Sequence, residues 1–344
     1  MKKLISLIMA LCLACMCLIP ASAASIEEGT DVLCDLFVYG EGPEVESLSI
    51  DYRYYSPVKE NDTAKYPLVV WLHGMGNGTS DGIQVSGSNI SYWASEEFQA
   101  RFTNGGAFIL APRSDELKGV CWNEGTIEPL KAAIDDFIAK NAENIDLTRI
   151  YVGGYSMGGK MTLKMAIAYP EMFAAAFPIC PAWSPSEELL SYISDMPIWL
   201  TSGKTDPLVN YYFSVSKTWE KICAVTEVPS EVRFSTLKKV CFEDGKRCTS
   251  AHHSWFSVNH DMFSSDNGDY PHMTTVNALG EDVVLTYPNG MISWLCAHTS
   301  DYNGEKSEGK GNIENATGTD NILGITGIID FFKTLFEAIK NLFK

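Results

Sequence analysis

The chain has 344 residues, of which 46% are hydrophobic, and 26 Lys and Arg stand against 43 Asp and Glu for a formal net charge of −17. That is length and apolar content enough for one large domain with a buried core. So acidic a balance excludes nucleic acid as a partner and disfavours anionic membrane surfaces for the folded body.

Residues 1–23 read as an export signal and stand outside the fold. Lys2 and Lys3 precede an apolar run from Leu4 to Ile19, and Ala21-Ser-Ala23 supplies the small residues a signal peptidase needs. Cleavage after Ala23 is expected, which removes two lysines, takes the charge to −19 and places the mature chain outside the cell. A lipid anchor on Cys12, Cys15 or Cys17 ranks below this, because no Leu-small-small run precedes any of them. Cys34, Cys121, Cys180, Cys223, Cys241, Cys248 and Cys296 remain, an odd set that leaves at least one thiol without a partner in its own chain. Cys241 and Cys248 are spaced to close a hairpin. No Cys-x-x-Cys pair offers a zinc site.

Taken in order, 32–38 and the alternating, aromatic 47–55 read as short strands forming the antiparallel edge of a mixed sheet. A polar loop follows. Tyr66-Pro-Leu-Val-Val-Trp-Leu72 is a continuous apolar run, as a strand covered on both faces requires, and ends in His73-Gly-Met-Gly76. Helix is expected from Ser91, strand over 106–112 and an amphipathic helix over 126–140. Strands at 173–180 and 197–200, a helix over 210–225 and a last strand at 232–240 complete the alternation. Such an order predicts a mostly parallel sheet wound on both faces, with the loops after its strands gathered along one edge.

The stretch that organises the rest is Ile150-Tyr-Val-Gly-Gly-Tyr-Ser-Met-Gly-Gly-Lys160. A β-branched strand, a serine with glycines two before and two after it, and an immediate helix former make the strand–turn–helix of a nucleophile elbow. The turn puts the Ser156 hydroxyl at a helix N-terminus, where free N–H groups favour a developing oxyanion. The Met157 N–H is one candidate donor; the Met75 N–H, in the turn after 66–72, is the other. Asp206, in the loop after strand 197–200, is the candidate acid; its rival Asp195 precedes that strand and falls at the opposite end. The base must follow the last strand. His252 leads there, with His253 next, then His260 and His272. Those four show no carboxylate or cysteine at ligand spacing, so neither a metal nor another cofactor is expected.

With these residues assembled, the chain resembles the secreted α/β-hydrolase esterases grouped with polyhydroxybutyrate depolymerases, feruloyl and acetylxylan esterases, and stand-alone prolyl-oligopeptidase-type domains. The likeness is carried by Tyr66–Gly74, Ala111-Pro-Arg113, Arg149–Gly159, Tyr169-Pro-Glu-Met-Phe173 and Ser202-Gly-Lys-Thr-Asp206. The family's Gly-His-x-Ser-Trp signature falls on Ala251-His-His-Ser-Trp255, which points to His252, although alanine replaces the glycine. The resemblance implies an α/β-hydrolase fold over 24–300 and a Ser156–Asp206–His252 esterase acting on small-molecule or polysaccharide esters. A prolyl peptidase or amidase is the alternative, but no propeller-sized segment is present to gate peptides; a non-catalytic binding protein would lack a triad member, and none is missing. Trp122, Trp183 and Trp255 each follow a strand and form a candidate aromatic rim for phenolic or sugar rings. The long 260–288 loop reads as solvated. Residues 301–320 read as a flexible linker to an amphipathic helix at 321–344, a candidate contact for a membrane surface or a protein.

Overall fold

A run of seven residues with no polar side chain among the last five, Tyr66–Leu72, sits at the middle of the sheet as β3, and every one of its residues is buried. Its side chains alternate between two cores. Leu68, Val70 and Leu72 join one cluster, while Val69 and Trp71 join the other. This is why the strand shows no polar alternation: neither of its faces meets water.

The computed structural model describes residues 33–241, 248–260, 273–285, 290–305 and 319–320. The expected export signal at 1–23, His272 and the expected C-terminal helix at 321–344 lie outside the described residues. The strands are β1 (Val38–Glu41), β2 (Asp51–Tyr55), β3, β4 (Phe108–Pro112), β5 (Ile145–Tyr155), β6 (Ala175–Ile179), β7 (Trp183–Ser184), β8 (Trp199–Gly203), β9 (Arg233–Leu237), β10 (Val240–Cys241), β11 (Cys248–Thr249), β12 (Met273–Asn277) and β13 (Thr319–Asp320). Nine of them form one sheet in the order β1-β2-β4-β3-β5-β6-β8-β9-β12. From β4 to β9 the pairings are parallel; β1 and β2 make an antiparallel edge on one side and β12 on the other.

The helices Ile127–Lys140 and Met157–Ala168 cover one face, with Leu130, Ile134 and Phe137 from the first and Met161 and Met165 from the second in the same cluster. Met291–Cys296 and the short pieces around Trp93 and Phe98 cover the other. No helix among the described residues is long and apolar enough to cross a membrane.

Three local readings change. The helix expected from Ser91 is a 3-10 turn, Ile90–Ala94, followed by the single helical turn Glu96–Gln99 that Ser95 caps. The 260–288 segment holds β12, which lies against β9 through hydroxyl pairs, Ser235 to Thr275 at 2.7 Å and Thr236 to Thr274 at 2.8 Å. A short edge strand built on threonines carries too little apolar signal to stand out from a loop. Within 301–320, Thr319 and Asp320 pair with Ser184 and Trp183. Cys241 is disulfide-bonded and lies opposite Cys248 in the β10–β11 hairpin; Cys121, Cys180, Cys223 and Cys296 are free thiols.

Candidate active site

Ser156 follows β5 with φ 57° and ψ −115°, a left-handed backbone that non-glycine residues rarely adopt. Its flanking glycines serve a different need. A Cβ on Gly154 would lie 2.3 Å from the Leu72 carbonyl oxygen, and one on Gly158 would lie 2.0 Å from that atom and 2.5 Å from the His73 oxygen. The glycines therefore let the elbow press against the end of β3, and the serine itself carries the strained dihedral. The Met157–Ala168 helix begins at the next residue, so the first N–H groups of that helix point at the turn.

The β3 turn is fixed by a buried histidine. His73 Nδ1 lies 2.7 Å from the Gly74 oxygen, and its Nε2 accepts from the Ser114 N–H at 3.1 Å, which defines a neutral imidazole with its proton on Nδ1. Full burial pushes its pKa down to about 4. Trp122 Nε1 donates to the His73 oxygen at 3.0 Å, and the Glu116 carboxylate accepts from the Gly76 N–H at 2.9 and 2.8 Å. Met75 thus sits in a turn gripped at several points by one other loop, the connection between β4 and the Ile127–Lys140 helix. Sequence reading missed Glu116, which lies 40 residues beyond the turn it holds and belongs to no motif.

A neutral buried imidazole has a consequence for stability. The His73 pKa is lowered from 6.5 in the fold, so its contribution is complete above pH 6.5 and is lost as pH falls toward about 4. The full effect is about 3 kcal/mol. His253 and His298, also lowered by burial, act in the same direction. Urea midpoints measured from pH 7 to pH 4.5 should therefore fall steeply, and His73→Gln should flatten the slope while lowering stability at pH 7.

Asp206 follows β8. Its Oδ1 accepts from the N–H groups of Leu208 and Val209 at 2.8 and 2.9 Å, and its Oδ2 lies 2.8 Å from Nδ1 of His252. The Asp206 side chain has no exposure and that of His252 has 8%. Burial opposes a charge on His252, but neighbouring Cys180 and Asp206 outweigh it and raise its pKa above 6.5. His252 lies in a 3-10 turn, Ala251–His253, packed so closely on the end of β8 that a Cβ on Gly203 would meet the Ala251 oxygen at 2.3 Å. The adjacent His253 points elsewhere, with Nδ1 2.7 Å from the Thr249 hydroxyl. His260 stacks on Phe256 and lies tilted against Tyr92. Ser156 and Asp206 therefore come from turns after β5 and β8, and His252 from the turn after β11, at one edge of the sheet.

The three tryptophans do not make an exposed rim. Trp122 and Trp183 are 1% and 2% exposed; the first is held on the His73 oxygen, and the second lies under the Lys164 ammonium, 4.2 Å from its ring. Trp255 stacks on Tyr155 with centroids 3.8 Å apart. Large rings beside a sheet edge gain more from filling the core than from facing water. The exposed apolar side chains along this edge are instead Met75 after β3, Leu117 after β4, and Leu208, Tyr212 and Phe213 after β8.

Residues 123–240 match the phospholipase/carboxylesterase family model, a span that opens just before the Ile127–Lys140 helix and runs through Ser156 and Asp206 to β10. A thermostable esterase of known structure superposes with a TM-score of 0.56 at 29% identity, over 70% of this chain and 64% of that one. The chain has the α/β-hydrolase fold. Among curated proteins, the α/β-hydrolase is 26% identical to a poly(3-hydroxybutyrate) depolymerase of Ralstonia pickettii over 48% of its own length. It is 31% identical to feruloyl esterase B of Neurospora crassa over 36% of its length. These matches span 35% and 41% of the two relatives.

Proposed function

We propose that this α/β-hydrolase is a secreted serine esterase working through an acyl-enzyme. The observation that carries the reading is the 2.8 Å pairing of His252 with a carboxylate that two backbone N–H groups already hold, at the sheet edge where Ser156 is bent out of β5. Ser156 Oγ attacks the ester carbonyl as its proton passes to His252 Nε2; Asp206 keeps the other ring proton on Nδ1 and stabilises the imidazolium. The N–H groups of Met75 and Met157 receive the oxyanion. His252 then returns the proton to the departing alcohol. Water, deprotonated by the same ring, attacks the acyl carbonyl and releases the acid and Ser156.

The apolar side chains Met75, Leu117, Leu208, Tyr212 and Phe213 favour an ester with an apolar or aromatic acyl part, such as a hydroxyalkanoate or a cinnamate. The depolymerase and feruloyl esterase relatives support the same classes. A fluorophosphonate should label Ser156, located by peptide mass spectrometry, and Ser156→Ala should lose both the label and hydrolysis of p-nitrophenyl butyrate and methyl ferulate. Labelling at another serine, or undiminished hydrolysis by the variant, would refute the mechanism. Faster cleavage of proline amides than of esters would favour a peptidase.

A further inference from the structure

Cys180 is a buried thiol that the hydrolytic mechanism does not use. It follows β6 with φ 35°, its backbone N–H is tied to the Thr201 oxygen at 2.7 Å, and its Sγ donates to the His252 carbonyl oxygen at 3.5 Å. One donor atom each from Cys180, Asp206 and His252 lie within 4.8 Å of one another, and all three residues are buried. These residues are far apart in sequence and meet only because the turn after β11 packs beside the ends of β6 and β8, so no ligand spacing announces them.

We propose that Cys180, Asp206 and His252 form an inhibitory site for a borderline-soft divalent cation of the zinc class. The donor set argues for that class. One sulfur, one nitrogen and one oxygen donor suit zinc, cobalt or cadmium, whereas magnesium and calcium want oxygen alone. Charge matches as well. On binding, the thiol proton and the extra proton of the imidazolium leave to solvent, so a thiolate and a carboxylate beside a neutral imidazole neutralise the two positive charges. His252 retains 8% side-chain exposure, which gives the ion its approach. Once bound, the cation holds the imidazole that would accept the serine proton. Hydrolysis stops, and removal of the metal restores it.

The binding arm of the test is independent of the catalytic reading. Full-length protein titrated with cobalt(II) should develop a thiolate-to-cobalt absorption band in the near ultraviolet, and zinc should bleach it. Cys180→Ser should lose the band, while Cys121→Ser, which removes the exposed thiol, should keep it. In the activity arm, zinc should inhibit the wild type and a chelator should reverse it. Cys180→Ser should need at least about ten times more zinc for half-inhibition of whatever activity it retains. Wild-type protein with no thiolate band, a band that survives Cys180→Ser, or equal zinc sensitivity in the two proteins overturns the site. If Cys180→Ser does not fold, Cys180→Ala serves in both arms. If no ester is hydrolysed at all, the cobalt band alone decides.

Discussion

Asp206→Asn is expected to lower kcat by roughly 10³–10⁴-fold with little change in KM. The reason lies in how the carboxylate is held. Leu208 and Val209 donate to Oδ1, so an asparagine must put its amide oxygen there and its NH2 group where Oδ2 faces His252. The imidazole then has to accept on Nδ1, its proton moves to Nε2, and the nitrogen turned to the substrate can no longer take a proton. A nearly isosteric change should therefore cost as much as Asp206→Ala. The two proteins also differ in pH dependence. In the wild type Asp206 helps hold the His252 pKa above 6.5, so kcat/KM should climb as pH rises through and beyond neutrality. In the asparagine variant the residual activity should reach its plateau at lower pH. A stopped assay on p-nitrophenyl butyrate from pH 5 to pH 10 reads both effects, and retention of a tenth of the wild-type kcat by Asp206→Asn would contradict the assigned tautomer.

Gly158→Ala tests the elbow rather than the base. The added methyl would lie 2.0 Å from the Leu72 carbonyl oxygen, and a backbone atom in the middle of a nine-stranded sheet cannot step aside. Either β3 and the Met75 turn shift or the helix backs away, and a displacement of about 1 Å is enough to cost roughly 100-fold in kcat. Gly119→Ala is the contrast: φ there is +80° but nothing lies within 4 Å, so the cost is backbone strain of about 1 kcal/mol in stability, with activity kept. Thermal melting and kcat measured on both variants separate the two mechanisms. Wild-type activity in Gly158→Ala would mean that the elbow has slack the close contacts deny.

The parts of the chain that could be read without coordinates were those in which a local rule and a tertiary need agree. β3 is a continuous apolar run because both its faces are covered, so hydropathy alone locates it, and the buried second half of β5, 150–155, is marked by its glycines and the turn that follows. Asp206 was legible from its place after a strand. Adjacent His252 and His253 were not separable, since in a 3-10 turn of three residues they point about 120° apart and only packing decides which one meets Asp206. β12 was hidden by its threonines, whose hydroxyls satisfy one another across the strands. The tryptophan rim failed for the opposite reason: Trp122 and Trp183 do follow strands, but the core takes large rings wherever space and a hydrogen-bond acceptor allow, and Trp122 finds both beneath His73.

Asp206 and His252 stand 46 residues apart in the chain, and Ser156 precedes both by further strands of the same sheet. A ribosome therefore releases the hydroxyl long before the imidazole that would sharpen it, and nothing in the growing polypeptide can bring the two together until β9 has docked beside β8. The nascent protein is blunt by construction, and its reactivity is born only with its final architecture.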